Sequence, residues 1–558
     1  MDEPIGRTGT TRRAFLARAG LLGAGGAAAG ALGGLPGFLH TASADAGTDT
    51  GSAADVSLAA AGCPMGHPAG NALPSAGTFG RLFPGLPPFA HDSPALRAAL
   101  LAIGAPGGML DAKDDLFGPN GGPVKLITDP NQSLVNRNNP HDTAGMTFVG
   151  QFIDHDLTFD ATSKLGVATN PVTSPNNRTP RFDLDSVYGG GPIDQPELYG
   201  PGNPIKLRVE SGGVFEDVPR RLDHTAVIAD PRNDSNLIIS GLHAAFLKFH
   251  NQAVDMLTAA GVEPIDVFLE ARRLTTWHYQ WLVVNQVLPN FVGQPMVDEV
   301  MRSGGHAFRA KGEVFIPVEF SGAAYRFGHS MVRPSYRANL AGDAGGPFFG
   351  LIFDPTYAVA DGRPLDNEPP DLRGGYRSAR RFIGWQTFFD FGGPDTAAVK
   401  PNKLIDTVLS TPLFGLPFSA IAHLPGAPGP TALPQRTLLR HLTWSLPSGQ
   451  AIADHLRVDR LHRNDFSDFA AFGIGLDSST PLWLYVLREA ELVNGGQFLG
   501  PVGGRIVAEV MLGLLRADPA SYLSRQPSWQ PSLGATGGQY TMANFLRFAD
   551  VDPASRGQ

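Results

Sequence analysis

The sequence predicts a mainly α fold: one large helical domain with long Pro/Gly-rich loops and few short strands. Three observations point to it. Apolar residues recur at helical spacing over 93–103, 146–158, 236–260, 264–287, 322–333, 434–443, 448–456 and 481–492. Strand signals are few and short, as at 313–318, and the alternation of strand with helix that marks an α/β enzyme is missing. The 68 glycines and 48 prolines require much loop between the helices.

The bulk composition sets the class. With 42% hydrophobic and 17% charged residues, the 558-residue chain suits a soluble globular protein with a sizeable core. A net charge of −8 argues against nucleic acid as the main partner. One cysteine, Cys63, excludes an internal disulfide framework and a cysteine-cluster metal site. Its surroundings, after Leu58-Ala59-Ala60-Ala61-Gly62, faintly resemble a lipidation site but do not follow the apolar run directly.

The N-terminal 1–44 reads as a twin-arginine export signal. Thr11-Arg12-Arg13-Ala14-Phe15-Leu16 precedes an apolar run from Leu21 to Leu35, then Thr41-Ala42-Ser43-Ala44 supplies a small-residue cleavage pattern. That run is too short and glycine-rich for a membrane anchor, and no other stretch reaches spanning length. Twin-arginine export carries proteins already folded, which suits uptake of a cofactor before export. Residues 45–75, rich in Ala, Gly, Ser and Thr, read as a disordered linker. From there to 558 no composition shift or repeat divides the chain, so 76–558 is expected to be one domain.

Four segments carry chemistry. Gly150-Gln151-Phe152-Ile153-Asp154-His155-Asp156-Leu157 packs an amide, two carboxylates and an imidazole into an apolar run. On a helix, Gln151, Asp154 and His155 fall at i, i+3 and i+4 and share a face, while Asp156 turns to a different neighbour. Burying such groups is costly unless each has a partner, which marks the cluster as a candidate site. In Thr179-Pro180-Arg181-Phe182-Asp183-Leu184-Asp185-Ser186-Val187-Tyr188-Gly189, Thr179, Asp183 and Asp185 present hard oxygen donors at alternating loop positions, which suits Ca²⁺. Alone, this loop reads equally as a solvated acidic turn. The third segment, Asp230-Pro231-Arg232-Asn233-Asp234-Ser235, enters the long helix at 236. The fourth, Tyr325-Arg326-Phe327-Gly328-His329-Ser330-Met331-Val332-Arg333-Pro334, sets a histidine in an apolar helix, with Gly328 allowing close approach. Singly, Arg232 fits a surface ion pair and His329 a structural role.

In this order and separation the four segments resemble the animal haem peroxidase family of the peroxidase–cyclooxygenase superfamily, as a bacterial-type secreted member, over roughly 79–500. The resemblance implies haem b and Ca²⁺ as cofactors, with H₂O₂ and a small-molecule electron donor as partners. It makes 76–558 the catalytic domain. Gln151 and His155 match the distal-pocket pair, and Arg232 the catalytic distal arginine. His329 matches the proximal haem-iron ligand, Gln450 falls where an orienting asparagine is usual, and Arg326 is taken as cofactor-binding. Asp156, Thr179, Arg181 (through its carbonyl), Asp183 and Asp185 match the calcium ligands.

Two departures sharpen the expectation. Asp154 matches a carboxylate that forms an ester to haem in several members, but Ser235 stands where a second ester-forming Glu would be. Asp234, next door, would be turned by about 100°. At most one covalent link, through Asp154, is therefore expected. Fatty-acid dioxygenases of the superfamily carry a radical-forming Tyr three residues before the proximal His; here that residue is Arg326, as in the peroxidase branch. The resemblance thus implies a peroxidase that oxidises phenols, halides or similar reductants. The alternatives are a fatty-acid dioxygenase and a non-catalytic haem-binding protein.

Overall fold

The computed structural model describes residues 77–558, apart from 120, 130–134, 309–313, 358–364, 366, 425–428 and 537. The expected export signal, the linker and Cys63 lie outside the described residues. Helices dominate the described chain, as the periodicity predicts.

The long helix Leu237–Ala259 is the organising element. Asn236 caps it by accepting from the Ile239 amide at 3.0 Å. Its apolar face packs on the helices Gly145–Leu157 and Pro264–Leu282. Aromatic rings join these layers: Phe152 stacks on Phe246 at 4.4 Å, and Phe249 stacks on Phe545 at 4.2 Å. A second layer contains Leu482–Asn494 and Pro501–Ala517, both buried along most of their length. The latter helix went unforeseen, although Arg505 and Arg516 mark a partly exposed stripe along it.

Several boundaries differ from the sequence reading. The stretch 264–287 is α-helical only to Leu282, and Val283–Val287 is a π turn in which the Leu288 amide reaches the Val283 carbonyl. Pro289 follows and brings no N–H, which interrupts the α ladder there. The expected helix 322–333 is a 3₁₀ turn, Ala324–Phe327, and one α turn, Gly328–Met331; the chain is extended at Val332, ahead of Pro334. The strand signal at 313–318 becomes Ile316–Pro317, paired in parallel with Phe79–Gly80. The hairpin Ser335–Asp343 with Gly346–Leu351 went unforeseen. All sheets among the described residues have two strands. No described helix is long and apolar enough to cross a membrane.

Candidate functional site

A cleft open to solvent is lined by the helix Gly145–Leu157 and by the turn that carries His329. Gln151, Asp154 and His155 all line it, as their i, i+3, i+4 spacing requires, and so do Arg232, Ser235, Arg326 and His329. Gly150 permits the helix to pack closely: a Cβ there would lie 3.0 Å from the Phe291 ring.

Around His155 the polar groups of the two motifs are held by partners. The Asn233 Oδ1 accepts from His155 Nδ1 at 2.8 Å, while the Asn233 amide donates to His243 Nδ1 at 3.1 Å. With the amide in this orientation, His155 carries its proton on Nδ1 and keeps Nε2 as an acceptor. Burial and then Arg232 push the His155 imidazole down to about 3, so it is neutral across the physiological range. Arg232 is fixed by Asp230, with Nε to Oδ1 at 3.0 Å and Nη2 to Oδ2 at 2.7 Å, and Nη2 also donates to the His155 carbonyl at 2.9 Å. Its guanidinium lies 4.5 Å over the Phe159 ring. Arg178 clamps Asp230 from the other side at 2.9 Å. Burial opposes ionisation of Asp230, but Arg232 and Arg178 together hold it well below the usual carboxylate range. Gln151 donates to Ser235 Oγ and accepts from Asn236, both at 3.2 Å, so the helix cap also orients the cleft.

The opposite wall is sparser. His329 faces the cleft, and burial followed by Arg326 pushes it down to about 3. Its Nδ1 meets Thr437 Oγ1 at 3.4 Å, and the Trp483 ring stands 6.2 Å away. Gln450 does not take the expected orienting position. Its Nε2 donates to Thr480 Oγ1 at 2.8 Å and its Oε1 accepts from the Thr480 amide at 2.9 Å, so both ends are engaged away from His329. Thr437, on the helix Leu433–Thr443, stands beside His329 instead. Arg326 lines the cleft, donates Nε to the Ser321 carbonyl at 2.8 Å, and is pushed down to about 10 by burial, against the pull of Asp154.

The cleft suits a flat, dianionic cofactor such as haem. Gly328 lines it, and a Cβ there would meet no protein atom within 4 Å, so the space beside the His329 backbone is left open. The close approach expected of Gly328 is thus to the cleft and not to a neighbouring element. Arg326, Arg436 and Arg440 also line it, and Arg436 Nη2 is buried without a hydrogen-bond partner among the described residues. Carboxylates of a cofactor would satisfy that donor.

Asp156 leaves the helix on its other side, as expected. One oxygen each of Asp156, Asp183 and Asp185 lie within 4.8 Å of one another. Thr179 Oγ1 joins Asp183 at 2.8 Å, whereas the Arg181 side chain is exposed. Leu184, at φ 60°, turns its amide back to Asp156 at 3.3 Å. Burial, then Asp185 and Asp183, raise Asp156 well above its ordinary range; burial raises Asp185 to about 7 against the pull of Arg178. Three crowded carboxylates in this state fit a divalent cation, whose charge would hold all three ionised.

Spacing missed Asp230, Asn233, Arg436 and Thr437. The first two adjoin Arg232 in the motif, and that adjacency was their only signal.

The chain is similar to known proteins in the same sense. The animal haem peroxidase family model matches residues 160–344. "Probable oxidoreductase PXDNL" of Homo sapiens is 24% identical over 44% of this chain, which spans only 17% of that relative's length. Peroxidase A from Dictyostelium discoideum superposes with a TM-score of 0.55 at 15% identity, covering 85% of this chain and 93% of that one; this likeness concerns the fold. A fatty acid alpha-dioxygenase of Arabidopsis thaliana superposes with a TM-score of 0.49 at 14% identity, over 86% of this chain and 77% of that one. The animal haem peroxidase model thus matches residues 160–344 within a helical fold similar to that of a known peroxidase.

Proposed function

We propose that the chain is an exported haem- and calcium-dependent peroxidase that uses H₂O₂ to oxidise small reductants such as phenols or halides. The observation that carries this reading is the neutral His155, its Nδ1 held by Asn233 at 2.8 Å, beside Arg232 and in the same cleft as His329. Cofactor storage alone has no need of a base and a cation fixed in this way.

His329 would ligate haem iron, Arg326 and Arg436 would meet its carboxylates, and Asp154 would form the one ester link. Bound haem supplies the redox-active iron. His155 Nε2 then takes the proton of H₂O₂ and returns it to the departing oxygen, which leaves as water. Arg232 stabilises the negative charge developing on that oxygen, and Asp230 keeps the guanidinium in place without reorganisation. Gln151, tied to Ser235 and Asn236, orders polar ligands at the same wall. Calcium on Asp156, Thr179, the Arg181 carbonyl, Asp183 and Asp185 would anchor the helix turn that holds His155.

A dioxygenase is less well supported. The residue three before His329 is Arg326, and the neighbouring Tyr325 hydroxyl donates to the Gly150 carbonyl at 3.2 Å. A second ester is also unsupported: Ser235 lines the cleft, and Asp234 faces away, paired with Arg220 at 2.6 Å.

The test is recombinant protein loaded with haem. A Soret band with H₂O₂-dependent phenol oxidation is expected. Oxygen uptake with linoleate in the absence of peroxide would mark a dioxygenase, and a Soret band with neither activity a binding protein. Acidified-solvent extraction should leave haem attached to the wild type and release it unmodified from Asp154→Asn; complete release from both rules out the ester.

A further inference from the structure

The cleft contains a second imidazole that peroxide cleavage does not use. His423, just after the short helix Phe418–Ile421, lines the same space as His155 and Arg232. Its ring meets Phe159 with centroids 6.1 Å apart at 67°, and the same Phe159 ring carries the Arg232 guanidinium at 4.5 Å. His423 therefore belongs to the wall that holds His155. Its neighbours Ala420, Ile421 and Leu424 give this part of the cleft an apolar lining.

The bonding state of this ring is unusual for the molecule. The buried His243, His250, His278 and His441 spend ring nitrogens on protein partners. His423 makes no hydrogen bond to another described residue and remains partly accessible. The charged groups facing it are Arg232, Asp230 and Arg436; burial, then Arg232, push it down to about 4. A neutral imidazole always offers one acceptor nitrogen. No described residue bonds that nitrogen, and its neighbours in the cleft lining are apolar, a setting in which an aromatic O–H is the complementary partner.

We propose that His423 is the hydrogen-bond and proton acceptor for a phenolic reductant seated against the 420–424 wall. This rests on the peroxidase reading above. The phenol O–H bond breaks: one electron passes to the peroxide-oxidised enzyme, the proton goes to the free nitrogen of His423, and a phenoxyl radical departs. Two such events reduce one H₂O₂, so that two phenols and one peroxide yield two phenoxyl radicals and two waters. Loss of an electron makes the phenol O–H strongly acidic, so even an imidazole of lowered basicity accepts the proton. Without it the proton would be stranded beside Arg232 and Arg436.

The experiment compares His423→Leu, His423→Gln and wild-type holoenzyme. Equilibrium binding of 4-nitrophenol and of 4-nitroanisole, which has no O–H, is followed by perturbation of the Soret band. His423→Leu should weaken 4-nitrophenol binding about 10-fold and leave 4-nitroanisole binding unchanged, whereas His423→Gln, which keeps an acceptor oxygen, should restore most of it. Guaiacol kcat/KM should fall about 100-fold in His423→Leu, while ferrocyanide oxidation and the rate of reaction with H₂O₂ stay at the wild-type level. Equal losses for both nitroarenes, or for guaiacol and ferrocyanide alike, overturn the proposal, as does an unchanged guaiacol rate. If wild-type protein fails to react with H₂O₂, the peroxidase reading falls, and the nitroarene pair still decides whether His423 binds the O–H.

Discussion

The two walls of the cleft are built to opposite specifications. On one, His155 is tied to Asn233 and through it to His243, and Arg232 to Asp230 and through it to Arg178, so position, tautomer and charge are settled by protein contacts. On the other, His329 has a single long contact, 3.4 Å to Thr437, and a nearby Trp483 ring. The wall proposed to move a proton is preorganised by protein contacts. The wall that would take a metal bond leaves orientation to that bond, which is stronger than any side-chain contact.

The contrast between the walls yields four tests, in decreasing size of effect. His155→Ala removes the base outright and should slow the reaction with H₂O₂ by about 10²–10⁴-fold in stopped-flow records of the Soret band. A slowing below about 10-fold would deny that wall its catalytic role. Asp230→Ala leaves Arg178 and Arg232 buried without their shared carboxylate, which should cost about 3–5 kcal/mol of stability in chemical denaturation. A cost under about 1 kcal/mol would mean that the network is not what fixes Arg232.

The third test reaches the scaffold of the opposite wall through pH. Glu489 shares the helix Leu482–Asn494 with Trp483, accepts from the Val502 and Gly503 amides, and is raised to about 7 by burial. A raised carboxyl favours the protonated folded state, so its contribution is complete below about 4.5 and is lost as pH rises towards 7. Wild-type stability should therefore decline over that window by up to about 3 kcal/mol relative to Glu489→Gln, measured as Tm against pH. Parallel Tm profiles for the two proteins would refute it. The smallest effect is expected from Thr437→Val: a contact of 3.4 Å contributes about 1 kcal/mol or less. That change should still shift the haem reduction potential, whereas Gln450→Ala should not. The reverse pattern would restore Gln450 to the orienting role.

What could be read from the sequence follows the range of the contacts involved. Gln151, Asp154 and His155 lie within two helical turns, so helix geometry alone puts them on one face and Asp156 on another, and the cleft and the acidic loop receive them so. Element boundaries were less legible where a proline interrupted the ladder, as at Pro289 and Pro334. Gln450 was misassigned because a polar residue near a familiar spacing cannot be told from one that bonds locally; here Thr480 takes both ends of its amide.

By itself the sequence determined the helical class, the motif order and the residue types available for proton transfer, ligation and cation binding. These depend on local periodicity and on the chemistry of single side chains. Only the tertiary structure decided that Asn233 sets the His155 tautomer, that Thr437 faces His329 across 108 positions, and that His423 shares the wall with Arg232. Such pairings arise when segments distant in the chain are packed together, and a hydrogen bond a few ångströms long leaves no trace in spacing along the chain.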